Sequence, residues 1–164
     1  MKVVSKQTNS EMCIICGIQN DLGVKASFYN MEDGSVGAIM TFKKEHQSYP
    51  GRVHGGMVSA LLDELAGRAL WVTDPHLFGV TANMTVKFRK PVPYDEKLLA
   101  KGYIVKRNGR IFTAESKIFD ADKNVLVELS GNYVILPAEK VCNTGRLYEE
   151  VSILLEDDVS EIDI

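Results

Sequence analysis

Apolar and polar residues alternate in several stretches of this chain and follow a helical period in one. Val24–Asn30 and Val36–Glu45 alternate on either side of Glu32-Asp33-Gly34, the pattern of two strands joined by a turn. The alternation returns at Gly79–Arg89, Leu98–Lys106, Ile111–Asp120 and Val125–Leu136. Pro91-Val92-Pro93, Asn108-Gly109 and Asp122-Lys123-Asn124 separate these runs, and Asn-Gly is a strong hairpin signal. Between the first two runs and the last four lie a loop of turn formers, His46-Gln47-Ser48-Tyr49-Pro50-Gly51, and one long helix from Met57 to about Val72. From Pro137 onward the pattern predicts only a short helix around Leu147–Leu155 and a frayed end. The organisation is therefore one domain over residues 1–137 and a tail over 138–164.

The helix lacks the single apolar stripe of a surface helix. Met57, Val58, Ala60, Leu61, Leu62, Leu65, Ala66, Ala69, Leu70 and Trp71 spread around most of its circumference. A helix of that kind must be enclosed, and the strands are the only material to enclose it. The expected fold is α+β: one long central helix wrapped by a curved antiparallel sheet of about six strands, the hotdog arrangement. Such a sheet has edges that invite pairing between subunits.

Composition narrows the picture without changing it. The 164 residues are 45% hydrophobic and 25% charged, which excludes disorder and leaves room for a real core. The net charge of −3 is unevenly placed, because seven acids and no base fall in residues 149–164. The rest carries +4, which suits an anionic ligand but gives no basic field for nucleic acid. No run approaches the ~20 apolar residues of a membrane span, and the first residues lack a secretory pattern. Three cysteines do not make a disulfide framework, so a reduced, cytoplasmic protein is expected, with no nucleic-acid or membrane partner. Cys13 and Cys16 form C-x-x-C, but a zinc site wants four ligands and Cys142 is the only other thiol. The pair reads as a structural turn, with no metal site.

Ser59, Asp63, Glu64 and Arg68 interrupt the helix. Glu64 stands four positions before Arg68, the favourable order for an exposed ion pair. Asp63 has Ala60 and Ala66 three positions away, Ser59 and Gly67 four away, and no cation within helical reach. A carboxylate without a partner in apolar surroundings is costly, which marks it as a functional candidate. At the helix start, His54-Gly55-Gly56 offers free backbone N–H groups, a positive dipole end and room for close approach. That suits a carbonyl developing negative charge. His54 either orients this junction or touches the ligand.

The run H-Q-S-Y-P-G-R-V-H-G-G-M-V-S-A-L-L-D-E, residues 46–64, resembles the signature of hotdog acyl-CoA thioesterases of the phenylacetyl-CoA thioesterase type. That pattern is roughly G-x-x-H-G-G with an acid nine positions after the His, met by Gly51, His54, Gly55, Gly56 and Asp63. The strand Gly79–Val92 and the leader Cys13-x-x-Cys16-Gly17 with Asn20, Leu22 and Gly23 are also similar to the family. The resemblance implies hydrolysis of an acyl-CoA to free acid and coenzyme A, with no cofactor. It makes Asp63 the nucleophile or general base and the Gly55 N–H the group polarising the carbonyl. Thr81 would place water, and Ser48, where several relatives carry Asn, would be a second polar group near the carbonyl. His54 and Gly56 would line the substrate site.

Eight residues separate Gly55 from Asp63, about 12 Å along a helix axis. One helix therefore cannot serve one carbonyl with both, whereas two antiparallel helices in a homodimer can. A homodimer, extended to a homotetramer, is expected. Arg89 and Lys90 at one strand end, and Arg107 and Arg110 beside the Asn108-Gly109 turn, are candidates for the phosphates of coenzyme A. Two other functions fit the fold: a non-catalytic acyl-CoA sensor, and a hydratase or dehydratase. The retained Asp63 and the few residues before the first strand argue against the sensor, and no His–carboxylate pair supports the hydratase.

Overall fold

The alternating runs become strands of one antiparallel sheet in the computed structural model of the chain, which describes residues 1–164. In chain order the elements are β1 (Val3–Lys6), β2 (Ser27–Met31) and β3 (Val36–Thr41), then a short ribbon of β4 (Gln47–Tyr49) and β5 (Arg52–Val53). Helix α1 (Gly55–Arg68) follows and runs on into a 3-10 turn, Ala69–Val72. The four long strands are β6 (Phe78–Phe88), β7 (Lys97–Asn108), β8 (Ile111–Phe119) and β9 (Val125–Leu136), and two short helices end the chain, α2 (Ala138–Val141) and α3 (Leu147–Val151). The seven strands lie in the order β1-β2-β3-β7-β8-β9-β6. The β7–β8 hairpin turns at Gly109, whose φ of +59° is open to glycine at no steric cost.

Helix α1 crosses the inner face of this sheet. Leu61, Leu62 and Leu65 are fully buried, in one cluster with Ala100, Phe112, Ala114, Ile118, Val127 and Leu129 from β7, β8 and β9. The buried Ser116 hydroxyl of β8 donates to the Leu62 carbonyl at 2.8 Å, which satisfies it inside the core. The sheet does not surround the helix completely. Met57, Ala60, Asp63, Glu64 and Gly67 stay half-buried, so the apolar circumference is only partly covered within one chain.

Two features depart from the expected layout. The sheet has seven strands because Val3–Lys6 adds to β2 as an edge. The acidic tail is not frayed: it lies along that edge, with Val3 N–H donating to the Ser160 carbonyl at 2.8 Å and a bridge between Lys2 and Glu161. Ile162 is buried with Tyr29 and Met31, and the Asp157 carboxylate accepts from Lys6 at 2.6 Å and from the Tyr29 hydroxyl at 2.8 Å. At the opposite edge β6 pairs only with β9, and its side chains are mostly exposed, Val80, Met84 and Phe88 among them. No helix is long and apolar enough to cross a membrane.

Candidate active site

The start of α1 is built by His54. Its Nδ1 accepts the Gly56 N–H at 2.9 Å, capping the helix, while its own N–H donates to the His46 carbonyl at 2.8 Å. This leaves the Gly55 N–H without a partner in the chain, at the positive end of the helix dipole. Gly55 lines a cleft of about 400 Å³ together with Ser48, Tyr49, Phe88, Arg89 and Lys90. His46 holds the cleft's loop from behind: its buried ring accepts the Lys43 N–H and hydrogen-bonds the Leu22 carbonyl at 2.7 Å.

Asp63 opens on a second cleft, of about 270 Å³, shared with Thr81, Glu64, Cys13, Trp71 and Tyr133 among others. Its Oδ1 accepts from the Thr81 hydroxyl at 2.8 Å and from the Tyr133 hydroxyl at 3.0 Å. Thr81 and Tyr133 face each other across β6 and β9, immediately before a register shift between Thr81 and Asn83. A bulge at such a point re-aims side chains, here onto the helix carboxylate. The Tyr133 ring passes over Gly131, where an added Cβ would stand 3.0 Å from it, and stacks on Phe112. Burial, with the Asp63 charge adding to it, pushes the Tyr133 hydroxyl above its usual value, so it stays a donor at neutral pH. One carboxylate oxygen is thus fixed by two hydroxyls, and the other carries no partner in the chain.

The expected residues therefore separate into two groups. Gly55, Ser48, Arg89 and Lys90 line one cleft, with His54 and Gly56 at its helix cap, whereas Asp63 and Thr81 line the other. Arg107 and Arg110 flank the β7–β8 turn, which lies against the Val134 end of β9. Arg89 pairs with Glu128 and Lys90 approaches Asp120 at 3.9 Å, so both cations have acidic neighbours.

Sequence reasoning missed Tyr133, which sits in the inward register Val127, Leu129, Gly131, Tyr133 and reads as core. The available signal was its hydroxyl, since a buried Tyr O–H usually finds a partner. The Glu64–Arg68 pair also differs from the expected surface pair. Arg68 is 4% exposed, held between Phe28 and Trp71, and donates to Glu64 at 2.9 Å, the Thr8 carbonyl at 2.9 Å and Cys16 Sγ at 3.1 Å. Burial alone would raise the Glu64 pKa, but Arg68 and the Cys13 and Cys16 thiols hold it below the usual range. The N-terminal segment folds over this side of the helix, which helical spacing alone could not reveal.

A long helix held in a curved antiparallel sheet of this order defines the hotdog fold. Residues 50–127 match the thioesterase superfamily. It is 26% identical to acyl-coenzyme A thioesterase THEM4 of Rattus norvegicus over 110 residues, 66% of this chain and 46% of that protein. The chain thus spans about half of that relative. Its fold matches the crystal structure of a thioesterase superfamily protein with a TM-score of 0.69 and 31% identity, over 76% of this chain and 63% of the other. The fold also matches a hypothetical thioesterase of Streptococcus pneumoniae solved with coenzyme A, with a TM-score of 0.62 and 20% identity over 68% and 86% of the two chains.

Proposed function

We propose that the protein is an acyl-CoA thioesterase, hydrolysing a thioester with water to a carboxylic acid and free coenzyme A. The observation that carries this reading is the Asp63 carboxylate, with one oxygen fixed by Thr81 and Tyr133 and the other open to a cleft. That oxygen accepts a proton from attacking water or attacks the carbonyl itself. The Gly55 N–H donates to the carbonyl oxygen as charge develops there. Ser48 and the His54–Gly56 cap shape the same cleft, and Thr81 holds the carboxylate beside the water. The named relatives support this activity, and the bound ligand of the Streptococcus pneumoniae protein supports the ligand class.

The two groups lie about 12 Å apart along α1, so a complete site takes Gly55 from one protomer and Asp63 from another. The long free edge of β6 supports antiparallel pairing of two copies into a homodimer, doubled into a homotetramer. Such pairing lays the Phe78 end of one β6 along the Phe88 end of the other. Arg107 and Arg110 of one protomer then approach Arg89 and Lys90 of the next, a basic rim for the phosphates of coenzyme A. Residues 1–137 would form the catalytic domain and 138–164 an acidic extension that braces it. The free thiols suit a cytoplasmic setting. The test is a panel of acyl-CoA thioesters with released thiol measured by a chromogenic reagent. Turnover of at least one acyl class supports the reading, and no release above the uncatalysed rate across short, long and aromatic acyl groups overturns it.

A further inference from the structure

Behind the Asp63 helix lies a cluster for which hydrolysis has no use. Cys13, Cys16 and Glu64 bring their sulfur and oxygen atoms within 4.8 Å of one another, in contact with the buried Arg68. The Cys13 thiol reaches Glu64 Oε2 at 3.0 Å, its sulfur accepts the Ile15 N–H at 3.3 Å, and Arg68 donates to Cys16 Sγ at 3.1 Å. The two cysteines share one helical turn, closed by Gly17 N–H to the Cys13 carbonyl at 2.7 Å. Gly17 makes this turn feasible, since an added Cβ would stand 2.3 Å from that carbonyl oxygen. Cys13 is half-buried and lines the Asp63 cleft, whereas Cys16 is fully buried.

These donors suggest a metal, but the place of a cation is already filled. The Arg68 guanidinium bridges Glu64 and Cys16 and is itself anchored by Thr8, Phe28 and Trp71. What the cluster offers is two neighbouring sulfurs in one turn, one of them open to the Asp63 cleft. The hydrogen bond from Cys13, aided by Arg68, holds the Cys16 thiol below its usual value. The same bond, burial and the Glu64 charge push Cys13 up.

We infer that Cys13 and Cys16 are a modification site, a dithiol that a hydroperoxide closes into a reversible disulfide. The accessible Cys13 sulfur takes the oxidant: it bonds the distal peroxide oxygen, the O–O bond breaks, and the thiol proton goes to the leaving oxygen, releasing water or alcohol. The Cys16 sulfur then attacks the Cys13 sulfenic sulfur. The S–O bond breaks, and the hydroxyl leaves with the Cys16 proton as a second water. Two sulfurs are oxidised by one electron each and the peroxide is reduced by two. A disulfide needs Cβ atoms about 3.5–4.5 Å apart, closer than the about 5–6 Å of residues three apart on a regular turn, so the bond tightens the turn at Gly17. Closure removes the thiol donor to Glu64, the residue next to Asp63, and alters the Cys16 sulfur that accepts from Arg68.

The test counts thiols on the whole protein, with hydrogen peroxide as oxidant and intact mass after alkylation as readout. The reduced chain takes three alkyl groups, at Cys13, Cys16 and Cys142. After oxidation it takes one, at Cys142, with a mass lower by two hydrogens in an uncrosslinked chain, and dithiothreitol restores three. Cys13→Ser abolishes the two-hydrogen loss, whereas Cys142→Ser keeps it. The inference is overturned if three thiols stay reactive after excess peroxide, or if the cysteines gain oxygen instead of losing hydrogen. It is equally overturned if the untreated protein holds one zinc ion per chain and Cys13 and Cys16 resist alkylation until the zinc is removed. None of these readings depends on thioesterase turnover.

Discussion

At the scale of single residues, Asp63 is distinguished by what holds it. Helical spacing identified a carboxylate with no cation in reach, and the structure supplies two hydroxyls instead, both on Oδ1. Asp63→Asn keeps the shape but loses the base, so the fold should survive while kcat falls at least ~100-fold. Circular dichroism and the thiol-release assay check both halves, and near-wild-type turnover would remove Asp63 from the mechanism. Tyr133 acts through Asp63 and is a positioning residue. Tyr133→Phe deletes one charge-assisted hydrogen bond, worth about 1.5–3 kcal/mol, so kcat should fall roughly tenfold or more with KM little changed. An equal loss in Thr81→Val would show that both hydroxyls fix the same oxygen, whereas a KM effect alone would assign Tyr133 to packing. Asp63 was legible because a lone carboxylate on an apolar helix is an anomaly. Tyr133 was not, because a tyrosine in an inward register looks like any other core aromatic.

Among elements, those with strong periodicity were legible and those defined by docking were not. Val125–Leu136 and the central helix follow from alternation and helical spacing, and the Asn108-Gly109 turn from its glycine. β1 was invisible because four residues, Val3-Val4-Ser5-Lys6, carry no pattern of their own. The tail looked solvated because residues 149–164 hold seven acids and no base, yet Asp157 and Ile162 pin it to β1 and β2. Burial alone would raise the Asp157 pKa, but Lys6 and Tyr29 together hold it below the usual range. A depressed carboxylate contributes stability above its unfolded value, about 3.9, and loses it as the pH falls through its folded value. Asp157→Asn should therefore speed amide exchange at Val3 and Ile162 at neutral pH. The gap from wild type should narrow as the pH drops below about 3.9. Unchanged exchange in the variant at neutral pH would mean that the apolar contacts of Ile162 suffice.

For the whole molecule, the two edges of the sheet are treated in opposite ways. The tail covers β1, while β6, eleven residues long, presents its free edge with Val80, Met84 and Phe88 exposed. A long bare edge beside a half-covered helix is the surface a second copy would complete. On that arrangement each site takes Gly55 from one protomer and Asp63 from its partner, which two inactive variants can test. Asp63→Asn lacks the base, and Gly55→Pro lacks the N–H at a position where proline is tolerated. Each variant is first shown to be folded and inactive, then both are unfolded in equal amounts, mixed and refolded. Half of the dimers are mixed, and one site in each mixed dimer joins an intact Gly55 to an intact Asp63. The mixture should regain about a quarter of wild-type activity, given twofold dimers and independent sites. If both groups came from one chain, every site would lack one of them. A mixture that stays inactive, with mixed dimers confirmed by mass, rejects the shared site.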